Sequence, residues 1–240
     1  MCTVVLLIRP DHAWPLIVAA NRDEMLARAW DSPGAYWPGQ PDIVAGRDRS
    51  AGGTWMGVNR HGVMACVLNR PGSLGPATGK RSRGELPLLA LAHNSATDAA
   101  IALCALDAGA WRSFNLVVAD CRAAWFVRGL GHGPPQRQRL DPGCHMITAH
   151  DPDDPESPRV ARHLARFRAT DPAPPACEPW QALLADRSGL PGQQINVIPR
   201  GGFGTVCSSV LALPHRGPPA WLFAAGPPDQ APFQPVDLPI

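Results

Sequence analysis

The second residue is the first whose type and place could do chemistry. Removal of Met1 from in front of a small residue leaves Cys2 with a thiol and a free α-amine. An α-amine titrates near ~7.7 to 8.0, so at neutral pH part of it is unprotonated and can serve as general base for the thiol beside it. Cysteine is also an ordinary small residue at a chain start, and position alone leaves both readings open. Downstream, AANRDEM (19–25) closes an apolar run with Asn21, Arg22, Asp23 and Glu24. If that run forms a hairpin with the first strand, these side chains arrive beside Cys2. Asp23 then accepts from the terminal ammonium, and Arg22 either neutralises that carboxylate or holds an anionic substrate group. The competing reading of the same cluster is a solvated turn.

A second informative stretch runs from 46 to 72, GRDRSAGGTWMGVNRHGVMACVLNRPG. Gly52 and Gly53 permit a tight turn or a close backbone approach. Asn69, ahead of Arg70, Pro71 and Gly72, is either an amide donor to an oxyanion or the cap of the turn into Pro71. Trp55 reads as core rather than substrate contact. Other chemistry is weaker. The 8 histidines form no H-x-x-x-H or H-E-x-x-H pattern, so no metal site is expected. Cys144 beside His145 has the residue types for a haem iron, but neighbours on a strand point to opposite faces, and a half-buried strand fits better. Arg159, Arg162, Arg166 and Arg168 read as a solvated basic stripe, with a dock for phosphate or carboxylate as the sharper alternative.

These residues need elements to position them. TVVLLI (3–8) and PLIVAAN (15–21) read as strands of a hairpin, as do GTWMGVN (53–59) with GVMACVL (62–68), and FNLVVAD (114–120) with AAWFVRG (123–129). GCHMITA (143–149) reads as a further strand. Helices are expected at 84–93 and at 95–109, the latter opened by Ser95 with Asp98 at capping-box spacing. SPRVARHLARFRA (157–169) places Val160, Leu164 and Phe167 on one face, and EPWQALLADRSG (178–189) does the same with Trp180, Leu183 and Leu184. GTVCSSVLAL (204–213) and AWLFAAG (220–226) return to strand character. The order of strands, two helices, strands, two helices, strands suggests two packed sheets with helices outside.

Composition bounds the partners. With 22 basic and 20 acidic residues the net charge is +2, too weak a field to suggest nucleic acid or an anionic membrane. Lys80 is the sole lysine, which disfavours Schiff-base chemistry. The 28 Pro and 23 Gly indicate a loop-rich globular chain. Seven cysteines, at 2, 66, 104, 121, 144, 177 and 207, are odd in number and lack a C-x-x-C, which argues against a disulfide scaffold or zinc knuckle. The N-terminal apolar run is too short for a signal peptide or a membrane span. A single domain over 1–240 in a reducing, cytoplasmic compartment is expected, acting on a small molecule, with no integral membrane segment.

MCT at the start, NRDE at 21–24, AGRD at 45–48, AGGTWMGVNRHGVMACVLNR at 51–70 and SRGEL at 82–86 resemble the NRDE family, also called the transport and Golgi organisation 2 family. That family is in turn similar to the choloylglycine hydrolase and penicillin V acylase group of N-terminal nucleophile hydrolases. The resemblance implies an α+β, four-layer αββα sandwich. It implies Cys2 as nucleophile after removal of Met1, Asp23 as partner of the terminal amine and Asn69 as oxyanion donor, with Asn21, Arg22 and Glu24 in support. The reaction would be hydrolysis of a non-peptide C–N bond through a thioester, without a cofactor. The chain departs from the acylase pattern in three places: Ala19 and Ala20 stand where an arginine is expected, Thr148-Ala149-His150 replaces a Ser-Asn, and Gly204-Thr205-Val206 replaces Gly-Thr-Arg. The departures suit an alternative: a non-catalytic protein binding and trafficking haem, lipid or acyl-CoA on the same fold.

Overall fold

The structure is a computed structural model and describes residues 2–238. The chain forms two compact units, one built from the residues up to Arg28 together with Pro142–Asp237, the other from Ala29–Asp141.

The first unit holds a six-stranded antiparallel sheet. Its strands are β1 (Thr3–Ile8), β2 (Leu16–Met25), β10 (Gly143–Ile147), β11 (Phe203–Leu213), β12 (Ala220–Ala224) and β13 (Phe233–Pro235), in the order β10-β1-β2-β11-β12-β13. The β1–β2 hairpin forms as the sequence implies, with Thr3 opposite Asn21 and Ile8 opposite Leu16. Helices α3 (Pro158–Arg168) and α4 (Glu178–Leu184) cover one face. Because successive strand side chains alternate, Val5, Ile17, Ala19, Met146, Val210 and Ala212 all point to that face, where they pack with Val160, Leu164, Phe167, Trp180 and Leu184. Phe167 and Trp180 meet edge to face with centroids 5.1 Å apart, a geometry worth about 0.5–1.5 kcal/mol beyond area burial.

The second unit holds a seven-stranded antiparallel sheet of β3 (Trp30–Gly34), β4 (Ile43–Asp48), β5 (Met56–Asn59), β6 (Met64–Asn69), β7 (Phe114–Ala119), β8 (Ala124–Gly129) and β9 (Gln136–Arg139), in that order across the sheet. Helices α1 (Glu85–Leu91) and α2 (Ala96–Cys104) pack on its central strands around Leu86, Leu91, Leu103, Phe114 and Leu116. Ser95 caps α2, its hydroxyl accepting from the Asp98 amide at 3.1 Å. The helix ends at Cys104 rather than running to 109; Asp107 then caps a short 3₁₀ turn, Ala108–Ala110. The Asp120 carboxylate accepts from Arg122 and Ala123 in the β7–β8 turn and from the first amide of α2, fixing hairpin and helix with one side chain.

Four strands are absent from the sequence reading: β3, β4, β9 and β13. The strands β3 (WDSPG), β9 (QRQR) and β13 (FQP) carry Ser, Pro, Gly or uniformly polar residues, and they sit at or beside sheet edges, where pairing needs no apolar alternation.

Candidate active site

The site is built at the end of the first unit's sheet where β1 begins. Asn21, Arg22 and Asp23 are all buried within β2, which removes the solvated-turn reading of the NRDE cluster. Alternation then divides them. Asn21 and Asp23 point to the face that carries α3 and α4, and Arg22 and Glu24 point to the other.

Asn21 is an architectural clamp. Its Nδ2 donates to the carbonyls of Leu184 and Ile195, each at 2.9 Å, and its Oδ1 accepts from Ser208 Oγ at 2.6 Å. The carboxamide thereby ties the end of α4 and the following loop to β2.

Asp23 sits at the centre of a buried polar network. Its Oδ1 accepts from Thr205 Oγ1 at 2.7 Å, and its Oδ2 accepts from Arg159 Nη1 at 3.0 Å. The same Arg159 nitrogen donates to Thr3 Oγ1 at 2.6 Å. The Arg159 side chain is 5% exposed and that of Asp23 0%. Arg159 is therefore no part of a solvated stripe. It lies in the same row as His163 and Phe167, at steps of four along α3, and all three are buried. That i, i+4, i+8 spacing is the sequence signal that could have found it. Its former companions do face outward: Arg162 donates to Ser188, Arg166 pairs with Asp186 and Arg168 with Asp153.

The Cys2 thiol donates to the Asp23 main-chain carbonyl at 3.6 Å. Burial pushes the Cys2 thiol above its usual value, and the Asp23 charge pushes the same way, while Arg22 pulls it down. Arg22 also acts on Cys207, which pairs with it across β2 and β11; burial drives that second thiol up to about 12. The arginine that the acylase pattern places before the Asn-x-Asp core is absent at Ala19 and Ala20. Glu24 lies 3.8 Å from Arg22 Nη2 and 3.7 Å from Arg28 Nε, and its Oε1 accepts from the Met25 amide at 2.8 Å.

Pairing between β2 and β11 slips between Thr205 and Cys207, a bulge that leaves Val206 as the extra residue. The bulge turns Thr205 toward Asp23 while Cys207 stays beside Arg22. Val206 and Ala149, which occupy the places of an expected arginine and asparagine, are both buried and apolar. Met1, whose removal the nucleophile reading requires, lies outside the described residues.

Asn69 belongs to the second unit, at the last position of β6 opposite Phe114. It does not cap the turn into Pro71. Ser73 closes that turn, its hydroxyl accepting from the Arg70 amide at 3.0 Å and donating to the Arg70 carbonyl at 2.8 Å. Arg83 Nη1 holds the Ser73 carbonyl at 2.6 Å, and Arg112 Nη2 holds the Gly72 carbonyl at 2.6 Å. The Asn69 carboxamide donates no hydrogen bond among the described residues. In the same unit Gly52 has φ +73, and a Cβ on Gly53 would lie 2.5 Å from the Gly84 backbone, so the glycine pair provides both a left-handed turn and a close approach. Trp55 is half-buried, edge to face with Trp30 at 5.9 Å.

Cys144 points into the core under α3, whereas His145 points away and meets Asp153 Oδ2 at 2.8 Å. Among the described residues no three His, Cys, Asp or Glu side chains gather as a metal site would need. Among the described residues no helix is long and apolar enough to cross a membrane.

Among solved structures, the chain is similar to the Caenorhabditis elegans ortholog of N-acylethanolamine-hydrolyzing acid amidase, with TM-score 0.59 and 11% identity over 88% of this chain and 92% of that one. It is also similar to penicillin V acylase from Agrobacterium tumefaciens (TM-score 0.57, 13% identity, 93% and 83% covered). A third is the C2A mutant of conjugated bile acid hydrolase from Clostridium perfringens (0.54, 11%, 99% and 97%). At such identities the likeness speaks of fold, and the fold is α+β, of the N-terminal nucleophile hydrolase type. No curated protein matches by sequence. The family model described as Transport and Golgi organisation 2 matches residues 1–219, nearly the whole chain, and the protein belongs to that family.

Proposed function

We propose that this protein, once Met1 is removed, is a cysteine amidohydrolase that cleaves the non-peptide C–N bond of a small acylated compound. The observation that carries the reading is the buried carboxylate behind Cys2. The Asp23 carboxylate is held by Thr205 and by Arg159, which also holds Thr3, the residue after Cys2, while the Asp23 main-chain carbonyl accepts from the Cys2 thiol; in this reading the carboxylate is the anionic partner that an α-amine at Cys2 needs. Burial and the Asp23 charge keep the thiol protonated, so attack requires a base that accepts its proton as sulfur approaches the carbonyl. The α-amine supplies that base. It takes the Sγ proton as the S–C bond forms, and returns it to the leaving nitrogen as the C–N bond breaks. Water then hydrolyses the thioester by the same route. Asn69 is assigned the oxyanion in this proposal, as the resemblance implies, and Arg22 the orientation of a polar group of the substrate.

The test is direct. Intact mass establishes whether Met1 is gone, and the processed protein is then offered an N-acylethanolamine, penicillin V and a bile-acid conjugate. Amine release together with a transient acyl adduct on Cys2, both lost in Cys2→Ala, is the expected result. Retention of Met1, or turnover unaffected by Cys2→Ala, would overturn the reading.

Ala149 and Val206 favour a second reading, in which the fold binds haem, lipid or acyl-CoA as cargo without turnover: two side chains that would complete the polar half of a hydrolytic site are apolar and buried here. Saturable micromolar binding of haem or acyl-CoA by a chain that hydrolyses none of the amides is its expected signature.

A further inference from the structure

Arg159 is the buried cation least expected from the sequence, and its surroundings are built rather than incidental. Ser157 caps α3, its hydroxyl accepting from the Val160 amide at 3.5 Å. Thr148 donates to the same hydroxyl at 3.0 Å. Segment 148–159, where the expected Ser-Asn is missing, thus delivers the first turn of α3, and with it Arg159, to the start of β1. A guanidinium taken out of water carries a steep desolvation cost, which an apolar residue at this strand–helix contact would avoid. The contacts of Nη1 with Thr3 and Asp23 put that charge next to the residue following Cys2.

We propose that Arg159 is the positioning residue of the amine base: it shares Asp23 with the α-amine of processed Cys2, keeping the carboxylate oriented while opposing protonation of the amine. The inference rests on the proposed function. A buried carboxylate facing an ammonium alone stabilises the protonated amine and removes the base. A second cation on the same carboxylate weakens that effect, leaving more free amine at neutral pH. Arg159 neither gains nor loses a proton; the thiol proton passes from Sγ to the α-amine as before. The charged and titratable groups at this end of the sheet are Asp23, Arg22 and Glu24 from β2, Cys207 from β11, His150 just beyond β10, and Arg159.

The experiment uses the full chain with Met1 removed and follows carboxamidomethylation of Cys2 by iodoacetamide from pH 5 to 10, read by mass on the N-terminal peptide. The wild-type rate should rise with a midpoint near neutral. Arg159→Met should move the midpoint up by about one pH unit, close to tenfold slower at pH 7, and Arg159→Lys should restore most of the rate. Should Arg159→Met fail to fold, Arg159→Gln, which keeps a donor without the charge, should show the same shift. A folded Met or Gln variant with an unmoved midpoint overturns the inference alone, as does a Lys variant that shifts as far as Gln. A wild-type thiol that titrates like an ordinary cysteine overturns the proposed function and this inference with it.

Discussion

Two polar clusters in this protein, one in each unit, are held by opposite means. Around Asp23 every named side chain is buried, and the partners come from far along the chain: Thr3, Arg159 and Thr205 converge on one carboxylate. Around Asn69 the holding is done by long arginines that reach backbone carbonyls from half-buried or exposed positions, as Arg83 and Arg112 do for residues 72–76. The first cluster is stiff because each charge is desolvated and has its counter-charge in place. The second is a frame for a loop, and the candidate side chain within it contributes nothing to the frame. A buried ion pair is expensive to break and offers little net gain when intact.

The contrast is broken most directly at Asp23. Asp23→Ala leaves the Arg159 guanidinium buried with its carboxylate gone, and should lower stability by about 3–5 kcal/mol in urea denaturation. Adding Arg159→Met to that variant should recover a large part of the loss, since no lone charge then remains. If Asp23→Ala cost no more than a surface substitution, the network would be solvent-linked and the distinction between the two clusters would fall.

Asn21 tests whether charge, rather than burial, makes the first cluster costly. It lies two residues from Asp23 on the same face and is equally buried, but it is neutral. Asn21→Ala removes the side-chain donor from the buried Leu184 and Ile195 carbonyls and leaves the Ser208 hydroxyl only its longer bond to the Ala20 carbonyl, and should cost about 2–3 kcal/mol by the same measurement. A loss equal to that of Asp23→Ala would assign the energetics of this end of β2 to hydrogen bonding alone.

How much of this was legible in the sequence follows the same division. Apolar periodicity announced β1, β2, β11 and the α3–α4 pair because each buries a face, and the NRDE run announced its own position because β2 carries it beside β1. Arg159 was not legible as a site residue because charge is a poor guide to burial when the partner stands 136 residues away. The bulge that turns Thr205 toward Asp23 has no local signal either, since one extra residue in a β-rich run leaves the composition unchanged. On the other side, Gly52 and Gly53 were legible as a backbone approach, while the role of Ser73 in closing the turn after Asn69 was hidden behind the more obvious Asn-Arg-Pro-Gly.

A smaller effect sharpens the comparison through pH. Burial is the largest single influence on the partly exposed Asp153 and pushes its carboxyl up, but His145, the Met146 amide and Arg168 together outweigh it and hold the carboxyl below its usual value. A carboxylate lowered in the folded state contributes stability above its unfolded value, near ~3.9, and that contribution is lost as pH falls through the folded value. Asp153→Asn should therefore flatten the acid limb of a stability–pH curve while changing stability at pH 7 by less than about 1 kcal/mol. An unchanged acid limb would mean that Asp153 does not set acid sensitivity.

The smallest expected effect on stability is the most telling for function. Because the Asn69 carboxamide donates no hydrogen bond among the described residues and the turn after it is closed by Ser73, Asn69→Ala should change stability by less than about 0.5 kcal/mol. If the proposed chemistry holds, the same variant should lower amide turnover by about 10²–10³-fold with Cys2 alkylation untouched, since an oxyanion donor acts on the tetrahedral intermediate and not on the thiol. Loss of turnover without loss of stability would separate a side chain kept for chemistry from one kept for architecture. A destabilised Asn69→Ala, or one with full turnover, would instead make Asn69 part of the frame that Arg83 and Arg112 hold, and would leave the Asp23 cluster as the sole polar arrangement in need of a catalytic explanation.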